Sequence, residues 1–161
     1  MSVNRWRLRH SVSALALMAM IAPATAQTVW TGAIDDDWFK AGNWMTAILP
    51  AGPTWVNSNT PGAVMNGGPA VALAGTTMIG RDAGTNGSLV IRNGASLASE
   101  SARIAFFAGS AGAVTVDTGS WAIGTSLVVG SAATGTRTIL NGGSGSTGTY
   151  LTVGDQETAT G

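Results

Sequence analysis

The side chains able to do chemistry are few. Acid–base cleavage of a glycosidic bond uses two carboxylates held a fixed distance apart. The chain offers Asp35, Asp36 and Asp37 as one run, then Asp82, Glu100, Asp117, Asp155 and Glu157 singly. The run invites a calcium reading, because hard cations take carboxylate oxygens. It lacks the spacing of an EF-hand loop, and three consecutive residues cannot all face one ion. A solvated turn before Trp38 is the better reading. Gly142-Gly143-Ser144-Gly145-Ser146 lacks the Asp of a calcium-binding nonapeptide repeat and reads as a turn. Gly84-Thr85-Asn86-Gly87 has no Lys after it and is not a phosphate loop. Cysteine is absent and the only histidine is His10.

His10 sits in a stretch with the layout of an export leader. Arg5, Arg7 and Arg9 give a positive start, Ser11 to Ala22 an uncharged and mostly apolar run, and Ala24-Thr25-Ala26 a small-x-small cleavage site. The apolar run is shorter than the ~20 residues a spanning helix needs, and Pro23 closes it. Residues 1–26 are therefore expected to be removed, leaving Gln27 first. The mature chain then has neither His nor Cys, which excludes a Ser-His-Asp triad, a Cys-His pair and a His- or Cys-ligated metal. No catalytic, cofactor-binding or metal-ligating residue is assigned, no cofactor is expected, and the chain reads as a non-enzyme. Five basic residues remain (Lys40, Arg81, Arg92, Arg103 and Arg137) against the 8 acidic ones. Such a balance provides no basic field for nucleic acid.

The elements that position these residues show in the glycine spacing. The chain has 23 Gly in 161 residues and only 10% charged residues, a poor composition for helices with solvated faces. Residues 27–76 hold Trp30, Trp38, Trp44 and Trp55 and four of the five prolines. They read as a lead-in, and residues 77–161 as a repeating body, incomplete at its C-terminal end. Gly87-Ser88-Leu89-Val90-Ile91, Gly112-Ala113-Val114-Thr115-Val116 and Gly135-Thr136-Arg137-Thr138-Ile139 align, with their first glycines 25 and 23 residues apart. Seven residues on stand Gly94, Gly119 and Gly142. A second anchor recurs as Met78-Ile79-Gly80, Leu127-Val128-Val129-Gly130 and Leu151-Thr152-Val153-Gly154, whereas Ile104-Ala105-Phe106-Phe107 lacks the glycine.

A period in the twenties marks a solenoid. The leucine-rich pattern is missing, so the expected fold is all-β, a right-handed parallel β-helix (β-solenoid) with one coil per repeat and an N-terminal Trp-rich capping segment. Strands are expected over 88–92, 113–117 and 136–140. Leu89, Ile91, Val114, Val116, Arg137 and Ile139 should face inward. Arg92 and Asp117 occupy equivalent slots on adjacent coils, which predicts an exposed ion pair. The four lead-in tryptophans read as a plug for the open end rather than a stacking platform for sugars.

The lead-in Trp30-Thr31-Gly32, Asp37-Trp38, Ala41-Gly42-Asn43-Trp44 and Pro50-Ala51-Gly52-Pro53 resembles the start of autotransporter passenger domains of Gram-negative bacteria. There a W-x-G…W…A-x-N-W…P-x-G-D run follows the signal peptide; here Pro53 replaces the Asp. Gly112 to Trp121 is similar to the family's G-x-V-T-V-x-G-x-G-S-x-W element. Leu127-Val128-Val129-Gly130 and Ile139-Leu140-Asn141-Gly142-Gly143 are similar to its L-x-V-G and L-x-I-x-N-G-G elements. The resemblance implies a structural or adhesive passenger segment, displayed at the cell surface or secreted in its full-length form, with an outer-membrane β-barrel as its C-terminal partner. That barrel needs more than ~100 residues and is absent from this sequence, so the chain is expected to be the first part of a longer protein, or a truncated product retained in the periplasm. Host or cell-surface glycans or proteins are the expected partners, and end-to-end self-association a further one. The alternative is a carbohydrate-binding or carbohydrate-active β-helix protein.

Overall fold

Runs of β-branched and aliphatic residues alternating with small polar ones favour half-buried strands. The computed structural model describes residues 26–154. The leader expected over 1–26 therefore lies outside the described residues up to Thr25, as do Asp155, Glu157 and the C-terminal Thr158–Gly161. The described chain forms β1 (Thr28–Val29), a single 3-10 turn (Ala41–Asn43), β2 (Thr54–Val56), β3 (Ala63–Asn66), β4 (Val71–Ile79), β5 (Asn86–Arg92) and β6 (Ser96–Ile104). Then come β7 (Ala111–Asp117), β8 (Ser120–Ile123), β9 (Ser126–Val129), β10 (Thr134–Leu140), β11 (Ser144–Thr147) and β12 (Tyr150–Val153).

Each paired strand is parallel to its neighbour, which requires a crossover between partners. Here the crossover is the rest of the coil. One sheet runs β3-β5-β7-β10, and the other runs β1-β2-β4-β6-β8-β11, with β9 beside β6 and β12 beside β9. The long strand β6 bends, so that Ser96–Ser99 pairs with β8 and Ala102–Ile104 pairs with β9. Each coil therefore presents three faces, and the stack is a β-solenoid of about 5 turns.

The repeat register holds residue by residue on the first face. Gly87, Gly112 and Gly135 form one column. Their role is clearance rather than torsion. A Cβ on Gly112 would sit 2.3 Å from the Ile79 carbonyl oxygen and 2.8 Å from the Ala105 nitrogen, where a corner of the chain crosses the strand. The strands begin two residues before their expected starts, at Asn86, Ala111 and Thr134. Inward columns run Ala63–Leu89–Val114–Arg137 and Met65–Ile91–Val116–Ile139. Leu89, Ile91, Val114 and Val116 are buried, whereas Ile139 on the last coil is exposed. The other faces contribute Leu97, Trp121, Ile104, Leu127 and Val129 to the same core.

Two expectations are corrected. Gly119 does not stand level with Gly94: Ser96, Ser120 and Ser144 form the column, so Gly119 lies beside Ala95 and Gly143. The middle coil drops a residue at this corner and regains it at the bend near Gly124-Thr125, as the register moves from Ser99↔Ile123 to Ala102↔Leu127. Arg92 and Asp117 do not pair, because Asp117 Oδ1 accepts a hydrogen bond from Asn141 Nδ2 at 2.8 Å instead. The division between residues 76 and 77 falls within β4, beside its bulge between Leu73 and Thr76, and the parallel pairing already starts upstream with β1 and β2. The missing glycine after Ile104 changes nothing in the path: Ala105 takes φ 57°, beside φ 66° at Gly80 and 70° at Gly130.

Candidate functional site

Among the described residues no group of three His, Cys, Asp or Glu side chains could hold a metal. The aspartate run instead builds the N-terminal cap. Asn43 is fully buried, and its Oδ1 accepts from the backbone N–H groups of Ile34 (2.8 Å) and Asp35 (3.1 Å). Its Nδ2 donates to Asp35 Oδ1 (2.8 Å) and to the Asp37 carbonyl (2.9 Å). Lys40 Nζ pairs with Asp35 Oδ2. The Lys40 ammonium first, then Asn43 and the Asp37 N–H, lower the Asp35 pKa to about 2. Asp35 is thus a structural carboxylate, held ionised, and unsuited to act as a general acid near neutrality.

The tryptophans divide in two. Trp30, Trp38 and Trp44 are at most 3% exposed. Trp44 meets the other two edge to face at ring separations of 5.0 and 4.6 Å. Trp30 Nε1 donates to the Pro61 carbonyl and Trp44 Nε1 to the Trp38 carbonyl. These three close the end of the solenoid and offer no face to a sugar. Trp55 is half-buried on the outer surface, and the Arg81 guanidinium lies over its ring at 3.9 Å and 5.2 Å from Phe107. Arg81 is also paired with Asp82, whose other oxygen accepts from Asn57 at 2.6 Å. This cluster is closed on itself. Its motif-free sequence gave no signal, since Trp55, Arg81 and Phe107 meet only through the coil period.

The opposite end is open. Among the described residues β10, β11 and β12 are bonded on one side only. Ile139, Leu140, Tyr150, Leu151 and Val153 are each 44–56% exposed there. Arg137 occupies the inward column above Val114, with its guanidinium 5.5 Å from the Trp121 ring centre. Its Nε and Nη2 are shielded from solvent and meet no hydrogen-bond partner, and this burial lowers its pKa from the ordinary arginine value. The notable surface is therefore a sheet edge with a sequestered cation, a feature suited to pairing with polypeptide rather than to bond cleavage. Among the described residues no helix is long and apolar enough to cross a membrane. Comparison with known family models, with curated proteins and with solved structures finds no match.

Proposed function

We propose that this chain is a non-enzymatic structural segment at the root of an exported β-solenoid, of the kind that resembles an autotransporter passenger. One observation carries the reading: among the described residues the coils are closed at the N-terminal end by the Trp30–Trp38–Trp44 cap, and at the other end β10–β12 are paired on one side only. A solenoid stabilises each coil through its neighbours, so a one-sided cap suits a root from which further coils extend. The non-enzymatic part of the reading is supported by the Asp35 carboxylate being engaged by Lys40 and Asn43 within the cap.

The test joins the whole chain, leader included, to an outer-membrane β-barrel and follows it in a Gram-negative cell. The expected result is a mature N-terminus at Gln27 and digestion of the solenoid by protease added to intact cells. Retention of Arg5 to Arg9, or protection of the solenoid from external protease while the barrel is correctly inserted, overturns the reading. Turnover of a polysaccharide by the homogeneous chain, abolished by Asp117→Asn, would replace it with a carbohydrate-active one.

A further inference from the structure

Arg137 is an anomaly in its column. Ala63, Leu89 and Val114 fill the same inward place on the preceding coils with apolar side chains. An arginine there takes part of a guanidinium, its Nε and Nη2, away from water, which is unfavourable unless acceptors meet it. The structure nevertheless makes room for it. Position 145 lies level with the buried Trp121, and a Cβ on Gly145 would sit 1.6 Å from Arg137 Nη2. The guanidinium borders a cleft of about 200 Å³ whose other walls are Val129, Leu151 and Val153. None of those side chains accepts a hydrogen bond. On one side the Arg137 guanidinium faces Trp121; the other side, among the described residues, is the open end of the stack.

We infer that this end receives a further parallel β-coil of the same solenoid that carries an Asp or Glu at the inward place facing Arg137. The occupant is fixed by three demands together. The free edge of β10 requires a strand, the exposed Ile139, Leu151 and Val153 require aliphatic neighbours, and Arg137 Nε and Nη2 require acceptors. A carboxylate meets two guanidinium N–H groups side by side. A second copy of this chain does not meet all three demands. Tail to tail it sets Arg137 against Arg137, and head to tail it brings the Asp35–Asp37 carboxylates but no free strand, since the Met45 N–H bonds the Val29 carbonyl of β1 and the Trp38 N–H the Val64 carbonyl of β3. The inference rests on the proposed reading that more coils follow.

The sequence spacing supplies a test. Gly161 follows Gly154 by seven residues, as Gly87 follows Gly80. The full chain is lengthened after Gly161 by a copy of residues 113–154, so that Gly161 takes the role of Gly112 and the copied Val114 falls opposite Arg137. Three versions are made: the copy unchanged, the copy with Val114→Glu, and the copy with Val114→Gln. The Glu version should melt at least ~3 °C above the Gln version. That advantage should vanish when Arg137→Leu is added. A Gln or unchanged version that equals or exceeds the Glu version, while amide exchange in β10 slows at least about tenfold over the chain without the copy, overturns the carboxylate alone. No slowing of β10 exchange in any version overturns the further coil, and with it the reading on which this inference rests.

Discussion

Asn43 and Asp35 show how much one side chain can organise in a segment with little regular structure. Asn43 is part of a motif legible in the sequence, Ala41-Gly42-Asn43-Trp44, but its work is not. Its side chain bonds four backbone and side-chain partners in the cap. Asp35 reads from sequence as one of three equivalent aspartates, and only the fold sets Lys40 and Asn43 against it. Its depressed pKa has a pH consequence. A carboxylate whose folded pKa lies below its unfolded value of 3.8 stabilises the fold above that value, and the contribution is lost as pH falls through about 2. The native chain should therefore unfold at higher urea than Asp35→Asn at pH 5 to 7. The gap should close between pH 4 and pH 2, followed by tryptophan fluorescence. A gap that stays constant to pH 2 would remove Asp35 from the cap's stability.

At the scale of the coil, the periodic glycines were legible because backbone clearance leaves no alternative residue. Gly87, Gly112 and Gly135 recur since a corner crosses each one at less than a side chain's distance. The corners were less legible, because a turn accepts one residue more or fewer without disturbing the faces. That is why Gly119 drifts from the column of Gly94, and why Ala105 does a glycine's work at φ 57°. Arg92 and Asp117 were matched correctly by period, yet the residue dropped at Thr118 turns the corner and hands Asp117 to Asn141. The two kinds of glycine should separate on mutation. Gly84 has φ 75° and open space around it, so Gly84→Ala should cost only about 1 kcal/mol, from torsion. Gly112→Ala meets backbone atoms that cannot rotate away and should cost about 3 kcal/mol. Urea midpoints of the two variants, with equal slopes, check the difference; similar losses would mean that the corner over Gly112 is soft.

Among the described residues the stack has one closed end and one open end. The cap buries three tryptophans over the first coil, whereas Leu140, Tyr150, Leu151 and Val153 on the last strands stay exposed. Local stability should follow that gradient. Amide exchange is expected to be at least about tenfold faster in β10–β12 than in β5–β8, with the first protease cuts in Gly142–Gly148 and the cap left intact. Uniform protection through Val153 would show that the last coil stands without a neighbour. The fold class was readable at this scale because repetition multiplies weak local signals; the sequestered Arg137 was readable only as a weaker inward position, since its isolation depends on Gly145 and Trp121 from another face. The parallel stacking has a mechanical consequence. Hydrogen bonds between coils lie along the axis, so a pull on the open end loads one ladder at a time rather than all of them together. Each coil adds ~4.8 Å to the length of the folded rod, but its roughly two dozen residues would pay out ~80 Å of thread once peeled. Under tension such a rod would yield in discrete steps and lengthen many times over before the tryptophan knot at its foot took any strain.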